Sequence, residues 1–450
     1  MKKKKILIIS YYFPPFGGVP VQRTLKFVKY MLEYEWNPVV LTVRDGYDHF
    51  HPNDSSLLEK VPARVKVIRT KEIGVIARFI RFLKSKAHTS TDYDVNDKKF
   101  AYRIIWLRKL LYNSLWFPDE KNYWIPNAIY AGLRLLSRRD ISVIYVSGYP
   151  WSAFLVGAFL SKIKKKPLII DFRDAWTLNP RGLWDNRFQK FWETKVLSQA
   201  SKVVFATNLI RKGYTERYPW LDKGKFITIT NGYDHEDFKY FKDKERKDNK
   251  KFLITFTGTF NDNIPPLDID QSPYYFLKGL SKLLSEKDIS KSIRVRFVGN
   301  FGDNNKDFVK RLGLGDLVEL TGYVSHDKSI EYQMEADLLL LLICPCKGSE
   351  SILTGKLFEY IGARKPILAL VPDGEAKDLI IKERLGITVW PKDIDGIKNA
   401  IYELYKDWEQ DSLKLKWKDG AYRKYEMKYL TRKLVDIIEE IRNSKASVSF

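Results

Sequence analysis

The sequence predicts an α/β chain with two Rossmann-like domains, each built on a parallel sheet, and three observations lead there. At 450 residues the chain is too long for one comfortable core, so two domains of ordinary size are expected. Short β-branched apolar runs alternate with longer amphipathic segments, the pattern of strands covered on both faces by crossover helices. That rhythm stops at a lysine-rich polar run and then starts again.

Taken in order, "ILIIS" at Ile6 to Ser10 is read as a first buried strand feeding a loop. The lysines before it imitate a signal peptide, but the apolar part is short, meets Pro14 and Pro15, and no small-x-small cleavage site follows. The first series continues with "PVVLTV", "VKVIRT", "VIYVSG", "PLIIDFRD", "KVVFAT" and "FITITNG". After the polar run at Tyr240 to Lys251 come "FLITFTGTF", "IRVRFVGN", "LVELTGYV", "ADLLLLLI", "PILALV" and "GITVW". A linker there divides the chain into 1–245 and a second domain from 246, although its charge equally suits a solvated helix face. Nowhere do about eighteen apolar residues run together, so no spanning helix is expected.

The composition is 44% hydrophobic and 14% aromatic, which excludes a disordered chain. Cys344 and Cys346 are the only cysteines, which excludes a disulfide framework or a zinc cluster and suits a reducing interior. The net charge of +23 calls for anionic partners, among nucleic acid, anionic lipid and phosphorylated substrates. Between Ile76 and Trp116, arginine and lysine alternate with Phe, Ile, Trp and Leu at helical spacing. Such a segment can lie in an anionic lipid surface; a core-facing helix with a basic outer face is the plainer explanation. Cations are spread through both halves rather than gathered in one stripe, so nucleic acid is not expected as a partner.

In parallel-sheet folds ligands bind beyond the carboxyl ends of strands, and four loops there draw attention. In "YYFPPFGGVPVQR", Gly17 and Gly18 let the backbone approach a ligand ahead of a helix N-terminus, or simply make a tight turn. "PLIIDFRD" leaves Asp171, Arg173 and Asp174 at a strand end, either as a site or as an Asp–Arg structural pair. "TNGYDHEDF" is explained by turn and cap chemistry. The fourth, "SILTGKLFEYIGARKPIL", starts a helix near Thr354 to Lys356, whose first N–H groups and ammonium suit a diphosphate. Glu359, about one turn on, can accept from a vicinal diol such as ribose. At about 1.5–3 kcal/mol for each charge-assisted bond, three or four of these with a stacking contact reach the roughly 8 kcal/mol of a micromolar ligand. An N-capped helix with a surface lysine remains the alternative.

Together these segments resemble glycosyltransferase family 4, the retaining GT-B type. The resemblance rests on the order of "ISYYFPPFGGVPVQR", "WFPDEKNYWIPNA", "SGYPWSAFLVGAFL" leading to "DFRDAW", "ITNGYDHEDF", "FTGTF", "LTGYVSHDKSIEYQMEADLLLLL" and "TGKLFEYIGARKPIL". It implies an acceptor-binding amino-terminal domain facing, across a cleft, a nucleotide-sugar donor domain at 246–420, with 421–450 as a terminal helix crossing back. It implies catalytic roles for Lys356, Glu359 and Asp174. Gly17, Gly18, Arg173, Gly299, Gly322, Tyr323, Glu350, Ser351, Thr354 and Gly355 would bind substrate. The implied activity transfers a sugar from a nucleotide donor to a lipid-linked or polysaccharide acceptor, with retention, without metal and without a cofactor. The implied location is cytoplasmic, peripheral on the inner face of the membrane through 76–116.

Two departures bear on that mapping. Relatives carry a Glu-x7-Glu pair, but eight residues before Glu359 stands Ser351, with Glu350 one place off. Where many relatives have a histidine in the acceptor domain, this chain has Phe154. Two other readings share the page. One is a sugar-nucleotide 2-epimerase of the same fold, disfavoured by only five histidines; the other is a basic nucleic-acid binder.

Overall fold

The computed structural model describes residues 4–44, 53–73, 117–138, 140–179, 182, 184–241, 251–260, 272–413, 420 and 422–447. The basic amphipathic segment at 76–116 and most of the Tyr240 to Lys251 run lie outside the described residues. The chain divides into two units. One comprises Met1–Phe205, Tyr214–Ile227 and Leu434–Phe450; the other comprises Ala206–Gly213 and Thr228–Lys433.

The first unit is built on a seven-stranded sheet among the described residues. In chain order its strands are β1 (Lys4–Ser10), β2 (Trp36–Val43), β3 (Lys66–Thr70), β4 (Val143–Gly148), β5 (Leu168–Phe172), β6 (Lys202–Phe205) and β7 (Phe226–Thr228). They lie in the order β3-β2-β1-β4-β5-β6-β7. β1 pairs in parallel with β2 on one side and β4 on the other. A connection that leaves β1 in one direction and resumes at β4 in the other creates a crevice at the strand ends between them. The first strand begins two residues before the apolar run, because Lys4 and Lys5 join the ladder to Trp36 and Asn37.

The second unit holds β8 (Phe252–Thr257), β9 (Ile293–Val298), β10 (Val318–Gly322), β11 (Leu338–Leu342), β12 (Ile367–Leu370) and β13 (Gly386–Val389). Their order is β10-β9-β8-β11-β12-β13, so this sheet reverses between β8 and β11. The five leucines of β11 are all buried, and alternation along a strand explains why such a run carries no polar face. Leu338, Leu340 and Leu342 enter one core with Phe252, Ile254 and Phe256. Leu339 and Leu341 enter the opposite one with Leu357, Phe358 and Ile361 of the helix Gly355–Ala363. That packing fixes the helix directly after β11.

The last helix, Met427–Ser447, contributes its residues from Leu434 onward to the first unit. There Leu434 and Ile438 are fully buried. The Glu439 carboxylate accepts a hydrogen bond from Trp36 Nε1 at 3.0 Å and from the Lys4 ammonium.

Candidate functional site

The reversal between β8 and β11 gathers glycines whose backbones come close. Gly258 follows β8 with φ +138° and donates its N–H to Val298 O at 2.7 Å. Gly299 follows β9 with φ +126°, and a Cβ there would stand 2.3 Å from Gly258 O. Its N–H reaches Gly322 O at the end of β10 at 2.9 Å. A side chain at Gly299 would have to move the Gly258 backbone, and one at Gly258 would have to displace the Lys356 side chain, both at a positive φ that favours glycine. Tyr323, next in the chain, is 55% exposed.

Across the reversal, the helix Gly355–Ala363 starts with Thr354 as its N-cap in extended conformation. Its side chain makes no capping bond, and Thr354 Oγ1 is buried without a hydrogen-bond partner among the described residues. The first N–H groups of a helix have no intrahelical acceptor. An N-terminus left without its side-chain cap, beside a buried hydroxyl, is therefore set up to receive oxygen atoms from elsewhere.

Lys356 reaches over Gly258, with Nζ 4.7 Å from the centre of the Phe256 ring. Desolvation is the main influence on this ammonium and lowers its pKa to about 8, against the opposing charge of Glu359. A half-buried cation of this kind gains from a nearby anion, because screening by water is weakened there.

Glu359 sits one turn further along and is held on both oxygens. Oε1 is 3.2 Å from His326 Nε2, and Oε2 accepts from Gln333 Nε2 at 3.0 Å. Both partners come from the helix His326–Glu335, which Ser325 caps by accepting from Lys328 N–H. Positions 326 and 333 are two turns apart and share a face. Burial by itself would pull the His326 pKa down, but Asp327 at 3.9 Å, the bond to Glu359 and the charge of Asp237 raise it to about 9. Gln333 also approaches Thr257 Oγ1 at 3.4 Å, while its own Oε1 is buried without a donor among the described residues. One oxygen of Gln333 and one of Thr354 thus both lack partners near Glu359 and Lys356.

Asp237, His326 and Asp327 place one ligand atom each within 4.8 Å of one another. The neighbouring carboxylates favour the protonated imidazole, which has no lone pair to give a cation.

The structure brings Thr354, Gly355, Lys356, Glu359 and Gly299 to the same strand ends, with Gly322 bonded to Gly299. Glu350 is exposed, and its backbone packs within 2.4 Å of where a Cβ on Gly374 would stand. Ser351 donates its hydroxyl to Gly348 O at 2.8 Å and so closes the turn.

The other expected residues belong to the first unit and are grouped separately. Gly18 has φ +84° and precedes the helix Val19–Met31, while Gly17 is buried beside it. The Asp–Arg pair suggested within "DFRD" is not formed as such. Asp171 lies inside β5 and is bound in bidentate fashion by Arg23, with Nε at 2.7 Å and Nη2 at 3.0 Å, and also by Tyr145. Arg173 instead donates to the carbonyls of Gly148, at 2.7 Å, and Tyr149. Asp174 is exposed. Sequence position alone could not show that a strand interior faces Arg23 148 residues away.

Sequence reasoning also passed over Asp119, His326 and Gln333 as site residues. Asp119 is buried and accepts from Ser152 N at 2.8 Å, Ser152 Oγ at 2.6 Å and Lys121 N at 2.9 Å. Burial pushes its pKa up to about 6 against those hydrogen bonds. For His326 and Gln333 the two-turn spacing behind a serine cap was the available signal.

Residues 251–407 match the family model described as glycosyl transferases group 1. Among solved structures, Anabaena Alr3699/HepE in complex with UDP and glucose is similar over 97% of this chain and 100% of its own, with a TM-score of 0.63 at 14% identity. Sucrose-phosphate synthase from Thermosynechococcus elongatus is similar over 98% and 100%, with a TM-score of 0.64 at 14% identity. A putative UDP-N-acetylglucosamine 2-epimerase from Listeria monocytogenes is similar over 98% and 97%, with a TM-score of 0.59 at 9% identity. No curated protein sequence matches the chain. The fold is that of the GT-B proteins, with two Rossmann-like units. The stretch that matches the glycosyl transferases group 1 model lies in the second of these.

Proposed function

We propose that the chain is a retaining, metal-independent glycosyltransferase that moves a sugar from a nucleotide donor to a lipid-linked or polysaccharide acceptor. The observation that carries this reading is the half-buried Lys356 ammonium lying over Gly258, beside a helix N-terminus without a side-chain cap and a Thr354 hydroxyl without a partner among the described residues. Such a cradle suits the diphosphate of a nucleotide. Glu359, prealigned by His326 and Gln333, is placed to accept from the ribose. HepE was solved with UDP and glucose, which supports the same ligand class here.

In retaining transfer the chief need is stabilisation of the departing diphosphate, since charge develops on its oxygens as the glycosidic bond breaks. Lys356 and the N–H groups after Thr354 answer that need. The leaving phosphate then takes the acceptor's proton, so no protein base is required at Phe154. The first unit, with Gly17, Gly18, Arg173 and Asp174 at its strand ends, is assigned to the acceptor. Peripheral membrane association through 76–116 fits a lipid-linked acceptor.

The test is incubation of the purified protein with UDP-, GDP- and TDP-sugars in the presence of lipid extracts, following nucleotide release and product mass. Absence of release, transfer and thermal stabilisation by every nucleotide would sink the proposal. The likeness to a putative 2-epimerase supports a second reading. That activity would interconvert a UDP-sugar at C2 without acceptor, which NMR of the donor pool distinguishes.

A further inference from the structure

The first unit holds a cavity of about 650 Å³ between the edge strand β3 and the helix Ile125–Arg138. Lys66 and Ile68 alternate onto the same face of the strand. Tyr130, Arg134 and Arg138 recur every four residues and form one stripe on the helix. With Lys71, four cations line the cavity, and no carboxylate does among the described residues. None of these four makes an ion pair among the described residues. Among the described residues Arg134 Nη1 makes a weak hydrogen bond to Tyr130 Oη at 3.4 Å, with its guanidinium 5.6 Å from the centre of the Tyr130 ring.

Four positive charges around one hollow repel each other, which costs stability until an anion enters. Surface lysines and arginines are ordinarily interspersed with acids, whereas the described lining of this cavity holds basic residues alone among the charged ones. The cavity is also not a plain anion hole, because Ile68, Ala131 and Leu135 supply apolar wall and Tyr130 stands 62% exposed beside Arg134. Charge and hydrocarbon side by side match an amphiphile, whose phosphate meets the cations while its first methylenes meet Ile68 and Leu135.

We propose that this cavity binds the phosphate headgroup of an anionic membrane lipid. The site is separate from the strand ends of the second unit and does not depend on the donor reading, so either can fail alone.

The experiment is co-sedimentation of the full-length protein with vesicles of phosphatidylcholine, with and without phosphatidylglycerol. It compares wild type with Arg134→Glu/Arg138→Glu and with a remote pair of equal charge change, Lys291→Glu/Lys382→Glu, on the second unit. At about a tenfold loss for each 1.4 kcal/mol, and roughly that contribution per cation near an anionic surface, the cavity pair should lower partitioning at least tenfold. The remote pair should leave it within about twofold. Equal losses in both pairs would make the binding a property of net charge and overturn the proposal, as would retention in the cavity pair. Glucose 6-phosphate and inorganic phosphate serve as soluble probes by calorimetry. Binding of these at the cavity, lost in the variant, without any vesicle binding would assign a free phosphate ligand and overturn the lipid. If Arg134→Glu/Arg138→Glu does not fold by circular dichroism, Lys66→Gln/Lys71→Gln on the opposite wall carries the same comparison.

Discussion

The Lys356 side chain occupies the space that a Cβ on Gly258 would fill, at 2.2 Å from Cε and 2.4 Å from Nζ. The lysine is thereby held between the backbone after β8 and the Phe256 ring. Gly258→Ala should both strain a φ of +138° and expel the lysine. The expected cost is about 1–3 kcal/mol of stability with roughly a tenfold loss in UDP affinity, read by denaturant melts and calorimetry. An alanine variant with native UDP affinity would disconnect the glycine from the lysine's role.

Lys356 itself gives a pH signature. Its pKa of about 8 means that a growing fraction is neutral above that pH, while a bound diphosphate favours the charged form. Affinity for UDP should therefore be highest below pH 8 and fall as pH rises through it. Lys356→Met should lose about 1.5–3 kcal/mol of nucleotide binding, the value of a charge-assisted hydrogen bond. Lys356→Arg, which stays protonated, should remove the alkaline decline; a decline that persists in the arginine variant would move its origin elsewhere.

His326 predicts the pH dependence of folding. Its pKa rises from 6.5 to about 9 in the fold, so its protonated form stabilises fully below pH 6.5, and that contribution is lost as pH rises through 9. Lys356 slopes the other way, since its depressed value makes folding release a proton between about 8 and its unfolded value near 10.4. Urea titrations across this range should show wild-type stability declining from about pH 6.5 to 8, where the rise from the lysine begins to offset it. The His326→Gln variant should lack that decline and retain only the alkaline rise from the lysine. Unchanged slopes in the variant would refute the network around Glu359.

Phe154 is part of the hydrophobic core. Its ring lies 5.6 Å from Trp151, 4.7 Å from Phe172 and 6.3 Å from Trp176, and a Cβ on Gly148 would come within 2.5 Å of it. Phe154→His should lower stability by about 1–3 kcal/mol, the cost of burying an unpaired polar group, without raising turnover. A faster histidine variant at equal stability would show that a side-chain acid or base was wanted there.

The parallel sheets were legible because buried strands read as continuous apolar runs, and "LLLLL" could hardly be anything else. The helix start at Thr354 to Lys356 was equally plain, since a small-residue loop after such a run leaves few alternatives. Side-chain pairing across long sequence separation was not legible. Asp171 meets Arg23, and Glu359 meets His326 and Gln333, through strand order and helix packing that no local pattern encodes. Nor did the sequence show that the hydroxyl of Ser351, expected among the substrate-binding residues, closes a turn whose geometry depends on Gly348 in the left-handed region, φ +83°.

The tie from Glu439 to Trp36 and Lys4 has a bearing on biosynthesis. Lys4 and Trp36 are made well before Glu439, so the nascent sheet of the first unit waits for this helix until the residues of the second unit have been synthesised. During that interval the ground on which Leu434 and Ile438 later settle is open to chaperones and to misassociation. A premature stop at Leu434 would therefore wound the first unit although every residue of the second had been made.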